Sequence, residues 1–203
     1  YKASLFLATG SIDHQTGTRQ LDRLGGLWRA MPLTAIAVAA ATMSMAGFPL
    51  FFGFIGKEIM YKGALTETVY PGFATTVALL ANALMTGVAG IILLRVFFGE
   101  RPAALAAVRE VPWNMRFGPS IMGGLTILFG IVPWWVSANM VQPAVLAFHP
   151  VREEIHLKLF HGFSTPLLLS VATLTLGGLI YLARHHIRIH VATLRQRLPV
   201  TSQ

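Results

Sequence analysis

Residues 31–66, with the sequence MPLTAIAVAAATMSMAGFPLFFGFIGKEIMYKGALT, decide the fold. The segment begins as a helix of small apolar residues, and Pro32 suits its first turn. Gly47-Phe48-Pro49 then interrupts the helix, because proline lacks a backbone N–H and disfavours helical geometry in the residue before it. An aromatic run follows and leads directly to the ionisable pair Lys57-Glu58. The pattern predicts a discontinuous helix with a charged pair after the break.

The chain as a whole has the composition of a membrane protein. Of its 203 residues, 54% are hydrophobic and 12% are charged, and the mean hydropathy is +0.62. Globular domains carry about 25% charged residues. Asp, Glu, Lys and Arg are absent from four runs that are each long enough to cross a bilayer, which takes about 20 apolar residues in a helix: 30–56, 68–94, 117–151 and 159–183.

These runs predict an all-α membrane protein, a polytopic transmembrane helix bundle that forms a single transmembrane domain over residues 1–203. Residues 1–12 have the pattern of half a helix and not of a signal peptide, so we expect the chain to be an internal piece of a longer protein. The helices are expected at about 1–12, 31–47, 50–66, 72–98, 117–137 and 164–183, followed by a basic tail at 184–203.

The charge distribution favours a lipid bilayer over nucleic acid as the partner. The formal net charge is +8, and the arginines lie in the loops between apolar runs. A nucleic-acid-binding domain would interleave them with aromatic residues on one soluble face. If residues 31–66 cross once, eleven basic residues lie on one side and four on the other, which fits the positive-inside rule. If they cross twice, the split is six against eight, and the rule is uninformative.

Residue types exclude several kinds of site. The chain has no cysteine, which rules out disulfides, iron–sulfur clusters and thiolate zinc sites. His186 and His190 have metal-ligand spacing on a helix, but no carboxylate completes a site. No nucleophile stands with a base. We therefore expect no cofactor, no metal and no catalytic residue, and a protein that is not an enzyme.

Lys57 and Lys2 have two interpretations. Either lysine could extend its ammonium to the membrane interface from a helix end. Alternatively, they lie within the bilayer, where a charged residue is costly and is functional by default. Glu58 is better placed to pair with Lys62, four residues on, than with its direct neighbour Lys57. Lys57 and Lys2 could then hold or release a proton as nearby charges change.

Small polar residues near these lysines could support water between them. Ser4, Thr42 and Ser44 lie in predicted helices, where small polar side chains are typical of contacts between helices in lipid. Asn82 lies inside the 72–98 crossing, and there it is more typical of an interhelical hydrogen bond than of an ion ligand.

Several motifs resemble the antiporter-like subunits shared by Mrp-type sodium/proton antiporters and respiratory complex I. They are YKASLFL at 1–7, GSIDH at 10–14, GTR at 17–19, LGGL at 24–27, SMAGFP at 44–49 and GFIGKE at 53–58. HGF at 161–163 and PLLLS at 166–170 resemble the large A subunit of the Mrp complex in particular.

The resemblance implies an inverted-repeat antiporter fold, of which this chain would hold the second half of the antiporter module. It implies that residues 31–66 cross twice, and that Lys2 and Lys57 lie on a proton or cation path. The expected function is proton and monovalent cation translocation by one subunit of a multisubunit Na+/H+ antiporter. The partners would be H+, Na+ and other membrane subunits, in the inner membrane of a prokaryote.

Three other functions fit less well. A proton-pumping membrane subunit of an NADH-quinone oxidoreductase shares the first motifs. A structural membrane scaffold would have both lysines at the interface. A membrane enzyme is disfavoured because the sequence lacks a catalytic constellation.

Overall fold

The computed structural model describes residues 1–148, 157, 159 and 162–197, with the side chains of the last helix described up to residue 186. These residues confirm the all-helical fold class. The α-helices are α1 (Lys2–Thr16), α2 (Pro32–Ala46), α3 (Phe52–Leu65), α4 (Pro71–Gly90), α5 (Trp113–Ile131), α6 (Pro133–Val136), α7 (Gln142–Phe148) and α8 (Thr165–Arg197). A π-helical turn at Ile91–Arg95 extends α4, and another at Ser137–Val141 joins α6 to α7.

Two segments of the described chain are long and apolar enough to cross a membrane. They are Pro71–Arg95, of 25 residues, and Thr165–His186, of 22 residues. The bent pair of α5 with Pro133–Phe148 is a third candidate if it counts as one span. The molecule is a multi-pass membrane protein.

The helices α4 and α8 pack closely because small residues line their interface. A methyl group added at Gly177 would lie 2.4 Å from Thr86 Cβ, and one added at Gly87 would lie 2.9 Å from Ile180 Cγ2. Gly90 likewise lies against Tyr181, so residue numbers rise together along the two helices. The helices therefore run parallel, with the close backbone approach that small residues allow in lipid.

Residues 31–66 form two helices, with the discontinuity that the Gly-Phe-Pro sequence predicts. Helix α2 ends at Gly47, which has a φ of +78° and is in the left-handed conformation that glycine adopts without strain. Leu50 also has a positive φ, of 74°, in the turn that leads to α3. The chain is thus redirected within five residues.

The expectation of one helix at 117–137 is wrong. Helix α5 ends at Ile131, and the helical segment that begins at Pro133 is bent from it by 97°. Pro133 has no N–H to continue the helix, and Val132 before it has a non-helical backbone with φ −114° and ψ 55°.

Other boundaries also differ from the sequence-based expectations. Helix α1 continues past residue 12 to Thr16, where Gly17 ends it with a φ of +65°. The segment expected as a basic tail continues α8 as far as Arg197. Residues 198–203 of that tail and His161 of the HGF motif lie outside the described residues.

Glu110 fixes the N-terminal end of α2. Its carboxylate accepts hydrogen bonds from the backbone N–H groups of Leu33 and Thr34, at 2.8 and 3.3 Å, and from Thr34 Oγ1, at 2.6 Å. A carboxylate at this place satisfies donors that have no partner within the helix and complements the positive end of the helix dipole. The N-terminal end of α2 is therefore held by a side chain from another segment.

Candidate functional site

Lys57 occupies the C-terminal end of α2. Its side chain extends from α3, is 8% exposed, and donates a hydrogen bond from Nζ to Ala46 O at 2.7 Å. The last carbonyls of a helix have no partner within it and carry partial negative charge. The ammonium therefore gains both a hydrogen bond and a favourable interaction with the helix dipole.

The turn after α2 leaves that carbonyl available. Gly47 N donates to Ser44 O at 3.1 Å, and Phe48 N donates to Met43 O at 3.0 Å. These two bonds satisfy the preceding carbonyls in the manner of a Schellman motif. Ala46 O instead accepts hydrogen bonds from side chains of two other helices.

Two glycines make room for this arrangement. A methyl group at Gly47 would lie 2.6 Å from Lys57 Cδ and 3.2 Å from Nζ, so the lysine side chain lies directly over the glycine. A methyl group at Gly53 would lie 1.9 Å from Ser44 O. The start of α3 therefore packs backbone to backbone against the last turn of α2, and this contact places Lys57 near Ala46.

Thr86 of α4 is the second donor to Ala46 O. Its Oγ1 lies 3.3 Å from that oxygen and 2.9 Å from Asn82 O in its own helix, so the two carbonyls share its single hydrogen. One carbonyl thus joins α2, α3 and α4. Sequence reasoning missed Thr86, although it lies four residues after Asn82 and so on the same face of α4.

A cavity of about 520 Å³ adjoins Lys57 and has room for several water molecules. Four polar side chains reach it from four helices, namely Ser44, Lys57, Asn82 and Thr126. The other residues that line it are Tyr1, Met45, Phe52, Gly53, Gly56, Met60, Met85, Met122, Leu125 and Phe129. A few polar groups in an apolar wall are typical of a small-ligand or ion site.

The predicted supporting residues divide into two groups. Ser44 and Asn82 line the cavity with Lys57. Ser44 Oγ accepts a hydrogen bond from Gly53 N at 3.2 Å, and Asn82 Nδ2 donates to Ala78 O at 2.8 Å. That bond lies within α4. The Asn82 amide nitrogen therefore does not make the interhelical hydrogen bond that the sequence predicts.

Three further supporting residues do not line the cavity. Ser4 Oγ donates to Pro119 O at 2.9 Å, which joins α1 to α5. Thr42 is buried, and its Oγ1 donates to Val38 O in its own helix at 2.7 Å. Glu58, the residue after Lys57, is buried, at 8% exposed.

Lys2 lies apart from Lys57. It is the first residue of α1 and is exposed, whereas its neighbour Tyr1 lines the cavity. The structure therefore brings together Ser44, Lys57 and Asn82 of the predicted set. It does not bring Lys2 to the same cavity.

Within the described residues, no group of three or more His, Asp or Glu side chains is placed to hold a metal ion. The polar groups that meet at the site are an ammonium, hydroxyls, an amide and a helix-end carbonyl. This set can bind and release a proton and can hold water.

Residues 1–86 match the family model described as NADH:quinone oxidoreductase/Mrp antiporter, transmembrane region. Among curated proteins, a probable K(+)/H(+) antiporter A/B subunit of Rhizobium meliloti (strain 1021) is 36% identical over 195 residues, which are 92% of this chain and 19% of that protein. The Na(+)/H(+) antiporter A1 subunit of Staphylococcus aureus (strain Newman) is 31% identical over 191 residues, 89% of this chain and 24% of that protein. The chain therefore spans about a fifth to a quarter of the length of these relatives.

Solved structures show the same fold. A chain in the structure of the Mrp complex from Dietzia sp. DQ12-45-1b matches with a TM-score of 0.79 and 28% identity, over 98% of this chain and 21% of that one. A chain of the membrane-bound sulfane sulfur reductase, an archaeal respiratory membrane complex, matches with a TM-score of 0.56 and 19% identity, over 98% of this chain and 42% of that one. The second likeness is one of fold alone.

Proposed function

Because this chain belongs to the transmembrane family of NADH:quinone oxidoreductases and Mrp antiporters, we propose that it is part of the large A-type subunit of a Mrp-type cation/proton antiporter. Its role is to move protons across the membrane, coupled to the movement of a monovalent cation in the opposite direction. The observation that carries the proposal is the buried Lys57 ammonium bound to Ala46 O beside a cavity.

The geometry supports a proton site that can be filled and emptied. Ala46 O stabilises the protonated amine, and the neutral amine keeps access to water in the adjoining cavity. Discontinuous helices provide ion sites near mid-membrane in transporters built from inverted repeats. Moving one elementary charge across the membrane changes its free energy by about 2.3 kcal/mol for each 100 mV of membrane potential.

Lys2 is proposed as a second protonatable site on the same path, since the residue before it, Tyr1, lines the Lys57 cavity. Ser44 and Asn82 support water at that cavity. Thr42 and Glu58 are buried on the helices that meet there, and Ser4 fixes the position of α1 against α5.

The proposed partners are H+, a monovalent cation and the other membrane subunits of a multisubunit complex, in the inner membrane of a prokaryote. The names of the relatives specify K+ in one case and Na+ in the other. We propose Na+ as the coupled ion, and transport measured with each ion separately tests that choice.

A proton-pumping subunit of a quinone-linked complex is the second candidate, because the matching family model includes such subunits. The two candidates differ in the genes that surround this one. Neighbouring genes for other Mrp subunits would support the antiporter, and neighbouring genes for quinone reductase subunits would support the pump.

Substitution of Lys57 tests the proposal. In the complete antiporter reconstituted in vesicles, Lys57→Ala is expected to abolish cation-dependent proton movement, because it removes the amine at the end of α2. Lys62→Ala is the matched control, since Lys62 is an exposed lysine on the same helix. Purification of the complex then tests whether each variant assembles. Normal transport by an assembled Lys57→Ala protein would exclude Lys57 from the mechanism.

A further inference from the structure

A second polar group lies one helical turn beyond Lys57. Tyr61 is on the same face of α3, four residues on, and is 0% exposed. Its hydroxyl forms a hydrogen bond with Thr173 Oγ1 of α8, which is also 0% exposed. A buried hydroxyl pair between two helices is costly unless both groups are hydrogen-bonded.

The hydrogen bonds of this pair run from Tyr61 to Thr173 and from Thr173 to a backbone carbonyl. Thr173 Oγ1 donates to Leu169 O at 2.8 Å, which uses its single hydrogen. Tyr61 is then the donor to Thr173. The Tyr61 oxygen keeps its capacity to accept a hydrogen bond.

Ser170 extends the series. It lies three residues before Thr173, on the same face of α8, and is 3% exposed. Ser170 Oγ is buried and has no hydrogen-bond partner among the described residues. An unpartnered buried hydroxyl in a native protein requires an explanation, and an ordered water is a common one.

A second unpartnered hydroxyl points to the same end of the bundle. Thr75 Oγ1 of α4 is buried without a partner in the described part of the chain. Thr75 lies two turns before Asn82, on the same face. Because α4 and α8 run parallel with Gly87 against Ile180, Thr75 and Ser170 both lie toward the N-terminal ends of these helices. Both unsatisfied hydroxyls therefore lie toward the end of the bundle at which α4 and α8 begin.

We propose that Tyr61, Thr173 and Ser170 form a hydroxyl path, completed by water, that carries protons between Lys57 and the end of the bundle where α3 ends and α8 begins. The inference rests on the proposed function, because it requires that Lys57 exchanges protons. It adds a direction, since Tyr61 and Thr173 meet where α3 contacts α8, whereas Ser44 and Asn82 line the cavity from α2 and α4.

Proton transfer along this path balances at each step. The Lys57 ammonium gives a proton, through water, to the Tyr61 oxygen, while the hydrogen of Tyr61 passes to Thr173. Thr173 turns the hydrogen that it held on Leu169 O toward a water at Ser170 and releases it there, and Ser170 exchanges with water at the end of the bundle. Each hydroxyl gains one proton and loses one. Lys57 becomes a neutral amine and is protonated again from the cavity.

Transport by hydroxyl variants of the complete complex in proteoliposomes is the first test. Tyr61→Phe keeps the ring and removes the hydroxyl, and Thr173→Val keeps the shape of the side chain. We expect each to lower the initial rate of antiport by about a hundredfold, the lower end of what a positioned proton donor contributes. Thr173→Ser restores a hydroxyl and is expected to restore the rate.

Thr175→Val is the matched control. Thr175 lies on the same helix and donates to a carbonyl four residues earlier, as Thr173 does, but it is exposed. We expect it to transport at the wild-type rate. If Tyr61→Phe does not assemble, the comparison of Thr173→Val with Thr173→Ser decides the question.

The outcomes separate this proposal from the proposed function. If Lys57→Ala abolishes transport while Tyr61→Phe or both Thr173 variants transport normally, the hydroxyl path is overturned and the role of Lys57 stands. If Lys57→Ala also transports normally, both proposals fail.

Water access at Ser170 is a test that does not depend on activity. The chain has no cysteine, so Ser170→Cys and Thr175→Cys each introduce a single thiol into it. In a complete antiporter freed of other cysteines, a water-soluble maleimide is expected to label position 170 faster than position 175, although residue 175 is the more exposed of the two. Faster labelling at 175, or no labelling at 170, would overturn the water-filled path.

Discussion

The helix break between α2 and α3 and the one between α5 and α6 have the same local cause and different surroundings. Each has a proline beside a residue with non-helical backbone geometry, Pro49 in the first and Pro133 in the second. At the first break a buried ammonium and a threonine donate to Ala46 O. The cavity at the second break, of about 540 Å³, is lined by eight apolar residues: Phe52, Phe129, Val136, Met140, Val141, Ala144, Val145 and Phe148.

The difference lies in the side chains: at the first break Lys57 and Thr86 donate to a carbonyl at the end of the helix. At the second break, backbone groups bond to one another, with Val132 N donating to Leu128 O at 3.0 Å and Trp135 N donating to Val132 O at 3.2 Å. At the first break the Ala46 carbonyl accepts from the side chains of Lys57 and Thr86.

The two breaks are in contact. A methyl group at Gly130, in the last turn of α5, would lie 2.1 Å from Leu50 O in the turn between α2 and α3. The turn that positions Lys57 is therefore packed against the end of the helix that bends at Pro133.

We call the break between α2 and α3 the polar break and the break at Pro133 the apolar break. The largest effect on stability is expected at the polar break, from Gly53→Ala. The added methyl group would lie 1.9 Å from the backbone oxygen of Ser44, and α2 and α3 would have to separate. We expect the free energy of unfolding to fall by about 3 kcal/mol, at the upper end for overpacking. Denaturant titration of the purified complete protein measures it.

Gly63→Ala is the control for that variant. Gly63 lies on the same helix as Gly53, and a methyl group there would meet nothing within 4 Å. It is expected to leave stability unchanged or to raise it slightly through higher helix propensity. Equal stability of the two variants would mean that α2 and α3 do not pack as closely as described.

A somewhat smaller loss is expected when a lysine is placed at the apolar break. Val136→Lys introduces an ammonium at a position that is 3% exposed, beside a cavity with an apolar lining. We expect a destabilisation of about 2.5 kcal/mol, as for a charge within a membrane helix. Val136→Met, which adds no charge, is the control in the same titration. A Val136→Lys protein as stable as the Val136→Met protein would show that the second break also accommodates a cation.

The sequence predicts the polar break well because its signals are local. Gly47 and Pro49 interrupt α2 by their own backbone properties, and Lys57 follows directly after the charge-free run 30–56. The bend at Pro133 was missed, although a proline can bend or end a helix wherever it occurs. The structure shows which of these outcomes occurs.

The contacts of Lys57 depend on distant segments and could not be predicted in the same way. Thr86 reaches Ala46 O from 40 residues along the chain, and Tyr61 meets Thr173 across 112 residues. Helix periodicity could have placed Thr86 with Asn82 and Tyr61 with Lys57. It could not have shown which helix each face contacts.

Chemical restoration of an amine at position 57 tests the central claim most directly. Lys57→Cys in an otherwise cysteine-free complete antiporter removes the amine, and aminoethyl methanethiosulfonate then attaches one to the thiol, whereas methyl methanethiosulfonate attaches a neutral group. We predict that the untreated variant does not transport, that the aminoethyl reagent restores antiport, and that the neutral reagent does not. Equal rates with the two reagents, or normal transport by the untreated variant, would contradict the assignment of proton exchange to an amine at the end of α2.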